Sequence, residues 1–297
     1  MTLISLPSLP DPLKRLLRQL SDDFDQQNST AWINHVKNDR FKGRYLLKQG
    51  QVDFDGENEE GLSPTELTLL YCYHLMPEHL AAALHVCKQR LAKQLRQCLK
   101  DNQRIVLIDI GAGPLTFGLA LIFGSLAVDV ASANTLDIHY IAVDNKAAMR
   151  LRAKSVVKTL GASLGLSTFQ MINGAVAKAD RLLKEVDGNA TLLVSGSYVF
   201  AQKYLDSSQM VDAIGNLFMQ HTTIHRRLVV LNPTHNGNPL SFDQWPDVRD
   251  QLTTNVSGGQ LGEFRSVEAP RVGINWNKTY GRPIHFYSQV VRWPPAK

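Results

Sequence analysis

Residues 105–116 read IVLIDIGAGPLT, a run of apolar residues ending in two glycines one residue apart. Gly111 and Gly113 let a chain leaving a buried strand turn tightly and approach a ligand without a Cβ clash. A helix starting just after them presents free N–H groups to a polar or anionic group. Asp109 at the strand end and Ala112 within the turn complete this first group. A dinucleotide fingerprint needs a third glycine where Thr116 stands, so a nicotinamide enzyme is disfavoured. Asp144, followed by Asn145, ends the next strand-like run, and a carboxylate there can accept hydrogen bonds from both hydroxyls of a ribose. Asn173 and Gly174 close a third run, where a polar side chain can meet an adenine amino group. Ser195 and Tyr198 close a fourth, where cofactor and substrate would meet. Taken singly, the glycines could serve only a tight turn, and Asp144 could cap a helix opening at Lys146. In this order and spacing, the four strand ends point to a nucleoside-bearing cofactor.

These residues need a sheet to carry them. Strand-like runs cover residues 105–110, 139–143, 168–172, 191–195, 227–232, 263–268 and 284–291, and helical patterns cover 115–130, 146–164, 175–186, 207–221 and 242–254. Alternation of this kind predicts an α/β fold: a Rossmann-like, doubly wound, seven-stranded sheet closed by an antiparallel C-terminal hairpin. An all-helical N-terminal region precedes it, with helices expected over 11–20, 29–47, 63–75 and 78–99. Ser63 and Glu66 stand at capping-box spacing, Pro77 interrupts the pattern, and the acidic stretch 53–61 reads as a solvated loop. The division is a helical cap over residues 1–103 and a second domain over 104–297.

A hydrophobic fraction of 44% and a charged fraction of 20% belong to a packed globular chain and exclude wholesale disorder. No apolar run reaches the roughly 18 to 20 residues needed to cross a bilayer, and residues 1–10 lack the features of a signal peptide. Cys72, Cys87 and Cys98 form no CxxC pair, which fits buried thiols in a cytoplasmic protein with no membrane association. The formal net charge is +5, and residues 264–297 alone carry a surplus of the same size. Aromatic rings are interleaved with these cations, a combination suited to single-stranded nucleic acid. Arg271, Trp276, Lys278, Tyr280 and Arg282 are the candidate contacts, while Phe286 and Trp293 are expected to pack in the last hairpin. His221 and His225, four residues apart on an expected helix, lack a third ligand, so no metal site is predicted.

The segment from Asp109 to Thr116, the run Ser197 to Val199 and the run Leu231 to Thr234 resemble class I S-adenosylmethionine-dependent methyltransferases. More narrowly, they resemble the methyltransferase-like proteins associated with the small ribosomal subunit of mitochondria and their bacterial relatives. The resemblance spans about residues 67–252. It implies a class I sheet, S-adenosylmethionine as cofactor, and RNA or the ribosomal subunit as partner. Leu115 stands where the family's loop has another glycine, and Asn232 where it has an acidic residue. The family's C-terminal cysteine cluster has no counterpart after Cys98. Methyl transfer from a sulfonium is an in-line displacement that asks a protein mainly for alignment and proton removal. Tyr198, Asn232 and His235 are the polar candidates for that role at the site's mouth. Three readings follow: a methyltransferase acting on RNA, with ribosomal RNA as the expected target; a non-catalytic RNA- or ribosome-binding protein on the same fold; or a small-molecule methyltransferase using the helical cap as a lid.

Overall fold

The computed structural model describes residues 8–39, 42–126, 136–174, 183, 189–202, 205–235, 238–274, 276 and 283–296. The N-terminal third is helical: α1 (Asp11–Gln26), α2 (Thr30–Trp32), α3 (Lys42–Leu46), α4 (Pro64–His74), α5 (Met76–Val86) and α6 (Ala92–Lys100). The helix expected over 29–47 is broken, because α2 passes into a π turn at Ile33–Lys37 before α3 starts. At the start of α4 the capping box is complete: Ser63 Oγ accepts from the Glu66 N–H, and the Glu66 carboxylate accepts from the Ser63 N–H. Pro77 lies in the first turn of α5, where its missing N–H breaks no intrahelical bond. No described helix is long and apolar enough to cross a membrane.

The rest alternates β1 (Arg104–Ile110), α7 (Thr116–Leu126), β2 (Ile138–Asp144), α8 (Ala147–Leu160), β3 (Thr168–Asn173), β4 (Ala190–Ser197), α9 (Ser207–Gln220), β5 (His225–His235), β6 (Asn238–Pro239), α10 (Trp245–Asn255), β7 (Gln260–Leu261), β8 (Arg265–Ala269) and β9 (Ile284–Trp293). The helix expected over 175–186 falls almost wholly outside the described residues. The fold is Rossmann-like, and its sheet runs β3-β2-β1-β4-β5-β9-β7, with β6 on β5 and β8 on β9. Strands β1 to β5 are parallel, and β9 runs antiparallel to β5, β7 and β8. Among the described residues the sheet thus has nine strands instead of seven. The two additions, β6 and β7, are two-residue pairings too short to leave a period in the sequence.

Both faces of the sheet are covered, which is why β1 is buried almost throughout instead of alternating. Ile105 and Leu107 point into one core with α7, α8 and the cap helices, while Val106, Ile108 and Ile110 point into the other with α9 and α10. Helix α7 is apolar all round because it lies between the sheet and α5. The cap accordingly shares a continuous core with the sheet.

Candidate functional site

The strand order reverses between the parallel neighbours β1 and β4, so their carboxyl ends open a crevice at the switch point where ligands of such sheets bind. The turn leaving β1 holds three residues in the left-handed region: Gly111 (φ 61°), Gly113 (φ 51°) and Leu115 (φ 68°). Leu115 therefore adopts the conformation that a glycine would adopt freely, with its side chain buried in the core. A Cβ on Gly111 would lie 2.5 Å from Val199 Cγ2, so the turns after β1 and β4 meet across the crevice. Ala112 is buried beside them.

Asp144 ties the turn to β2. One oxygen accepts the Gly113 N–H at 2.8 Å, and the other accepts the Lys146 N–H at 2.8 Å. Burial raises its carboxyl above the usual range, against the lowering effect of those two donors. A carboxylate has about four acceptor positions, and these two donors take two of them. It does not form the side-chain cap of α8, whose N-cap is Lys146. Asn145 and Asn173 are exposed at the rim, Gly174 is left-handed (φ 114°), and Asn173 sits in register with Asp144.

Asp109 and Ser195 occupy a different place from the one expected. Asp109 is 1% exposed; Ser195 donates to one of its oxygens and Tyr140 to the other at 2.8 Å. Burial raises its carboxyl to about 6 despite those donors. This trio clamps β2, β1 and β4 beneath the crevice, and Ser195 has no exposed surface with which to meet a ligand.

Above the strand ends, the cap supplies residues that sequence reasoning did not single out. The His79 ring stacks on Tyr198 at 3.6 Å, and His79 Nδ1 is hydrogen-bonded to the Tyr71 hydroxyl at 2.8 Å. Burial, assisted by Arg44, lowers His79 to about 3, so the imidazole is neutral. Tyr198 itself has φ 63°, an uncommon strain for a non-glycine residue at a site edge. Tyr71, His79, Asp109, Thr116, Ser197 and Tyr198 border a cavity of about 10 Å³, room for about one water. The only local signal for His79 was its place, after Glu78, at the start of an alanine-rich helix.

The acidic stretch expected to be a free loop closes the rim. Lys146 Nζ lies 2.9 Å from Asp53 and 2.7 Å from Asp55, and Phe54 between them is buried against Tyr71. Burial alone would lower the Lys146 ammonium, but its bonds to Asp55 and Asp53 raise it.

Of the catalytic candidates, Tyr198 alone borders the cavity. Asn232 is fully buried, with its amide donating to Asp243 at 3.0 Å and to Tyr287 at 3.1 Å, so it braces β5 against β9 and the start of α10. His235 is exposed at the β5–β6 turn. Arg271 is drawn to Glu78 (3.3 Å), a buried carboxylate that Arg44 also holds through two bonds of 2.8 and 2.9 Å. Trp276 is 9% exposed and packs with Val272 and Ile274, so its ring is not presented for stacking. Arg271 turns inward because the cap provides its partner, Glu78, and Trp276 because it joins the buried core. Lys278, Tyr280 and Arg282 lie outside the described residues. Helix α9 ends at Gln220, so His221 and His225 do not share a helical face.

No family model matches the chain, and no curated protein does. Solved structures with which it aligns include a precorrin-6Y C5,15-methyltransferase from Geobacter metallireducens (12% identity, 69% of this chain and 88% of that one, TM-score 0.40). Two S-adenosylmethionine-dependent methyltransferases also align. The one from Clostridium acetobutylicum has 9% identity over 71% of this chain and 97% of that one, with TM-score 0.37. The one from Aquifex aeolicus has 14% identity over 70% and 92%, with TM-score 0.37.

Proposed function

We propose that the protein binds S-adenosylmethionine across the carboxyl ends of β1 and β2 and transfers its methyl group to RNA. The observation that carries this reading is the left-handed turn from Gly111 to Leu115, fixed to Asp144 through the Gly113 N–H at the switch point of the sheet. The residues present suit the cofactor. Asp144 keeps two acceptor positions for the ribose, Asn145 and Asn173 offer polar groups at the rim, and no cationic clamp is needed because the cofactor carries no phosphate. When bound, the cofactor supplies an electrophilic sulfonium methyl. The chain's own part is to hold the ribose through Asp144, to keep the turn fixed, and to exclude water by the His79–Tyr198 stack. Neutral His79 and the Tyr71 hydroxyl border the place where an acceptor would lose its proton.

Calorimetry with S-adenosylmethionine and with its demethylated product tests the cofactor. Asn at position 144 has one acceptor oxygen for two backbone donors, so Asp144→Asn should weaken binding by roughly 1.5 to 3 kcal/mol. Unchanged affinity in the folded variant would remove Asp144 from the site. Labelled-methyl transfer to total cellular RNA tests the chemistry. The rival reading is a cofactor-binding protein without catalysis, favoured because Asn232 and His235 do not border the cavity. Cofactor binding without methyl transfer to RNA would select it.

A further inference from the structure

A second concavity lies away from the crevice, where the segment after α5 faces β8 and β9. It has a volume of about 400 Å³ and is bordered by His85, Arg90, Glu263, Phe264, Arg265 and Ser288. Cations crowd this face. Arg90 and Arg265 share one carboxylate oxygen, Glu263 Oε2, at 3.8 and 2.8 Å. Arg292 is paired across the strands with Arg227, and among the described residues neither has a carboxylate partner. Arg227 is held by Gln94, with its Nε buried and unpartnered. Arg90 and Arg265 thus share a single carboxylate, with Arg292 close enough to act on Arg90. The crowding has an electrostatic signature: burial first, then Arg265 and Arg292, lowers the affinity of Arg90 for its proton.

Phe264 adds a second kind of contact. One face of its ring stacks on Tyr287 at 4.6 Å, and the side chain is 37% exposed. An aromatic ring bordering a groove with more arginines than carboxylates combines the two elements that hold single-stranded nucleic acid, a stacking platform and phosphate-binding cations.

We infer that this groove binds single-stranded RNA, with Arg265 and Arg292 meeting phosphates and Phe264 stacking on a base. The inference rests on RNA being the acceptor and assigns the docking surface to residues other than Arg271 and Trp276. An open groove of this charge is not built for a lone nucleoside, because phosphates spaced along a strand are needed to reach Arg265 and Arg292 together.

The test is fluorescence anisotropy of the full chain with a labelled 12-nucleotide single-stranded RNA at several salt concentrations. Removing both cations with R265Q and R292Q should weaken binding at least 10-fold and reduce the log–log salt slope by about 1.4, from about 0.7 for each phosphate contact. F264A should weaken binding about 5- to 100-fold with the slope unchanged, since a neutral stacking contact releases no counterion. Both sets of side chains are partly exposed, and thermal melts together with cofactor calorimetry verify that the variants stay folded and keep their crevice. RNA binding that is insensitive to all three substitutions would overturn the groove while leaving the methyltransferase reading intact. Groove-dependent RNA binding without methyl transfer would uphold the groove and remove the catalytic reading. No RNA binding by the parent protein, or poly-glutamate bound as tightly as RNA and unaffected by F264A, would overturn the assignment of RNA.

Discussion

Replacing Gly111 with alanine should damage the protein more than the same change at Gly113, and the structure gives the difference a specific cause. Both glycines are left-handed, at φ 61° and 51°, so alanine at either costs about 1–2 kcal/mol in backbone conformation. At Gly113 the new Cβ finds its nearest neighbour, Met149 Sδ, at 3.9 Å, an ordinary contact. At Gly111 it would sit 2.5 Å from Val199 Cγ2 and force the two turns apart, which adds about 1–3 kcal/mol of overpacking. Gly111→Ala should therefore cost about 2–5 kcal/mol in total, against about 1–2 for Gly113→Ala. Val199→Ala should restore the overpacking share in the double variant and leave the conformational share. Urea denaturation of the parent, both single variants, Val199→Ala and the double variant measures each quantity. Calorimetry on the same proteins follows the cofactor, whose affinity should fall with Gly111→Ala and partly recover in the double variant. Equal costs at the two glycines, or no coupling between positions 111 and 199, would refute the account of the crevice.

Two further outcomes follow from the charges around the site. Asp109 holds its proton up to about pH 6, against an ordinary value of 3.8. The folded protein thus binds this proton more tightly than the unfolded chain, and its contribution to stability is full below about pH 4 and lost as pH rises through 6. The difference between the parent and Asp109→Asn stability curves should change by about 3 kcal/mol across that window, and a flat difference would show that the Ser195 and Tyr140 bonds already offset the burial. Replacing Asp53 and Asp55 together with asparagine should change stability by less than about 1 kcal/mol, as for partly exposed ion pairs, yet speed cofactor association in stopped-flow measurements. Identical association rates would mean that the Lys146 tether does not gate the crevice.

The sequence alone determined the order of elements and the place of the glycine turn after β1. Periodicity and capping are local, so a strand such as β1, the capping box at Ser63 and the glycines after β1 leave their marks within a few residues. Asp144 was legible for the same reason, since it ends a strand directly. The fate of isolated polar residues was decided only by tertiary structure. Asp109 and Asp144 both lie buried near strand ends, yet one is bonded by Tyr140 and Ser195 across three strands, and the other by the Gly113 turn and the start of α8. Arg271 and Trp276 read as surface residues in a basic segment, but Glu78 of the cap and the neighbouring core turn them inward. His79 reaches the crevice only because α5 packs on α7, and Arg90 meets Arg265 only because the cap lies against the last strands. Partners like these are separated by tens to hundreds of residues, and no repeat or spacing encodes them. They exist only once burial of the apolar faces has fixed the cap on the sheet.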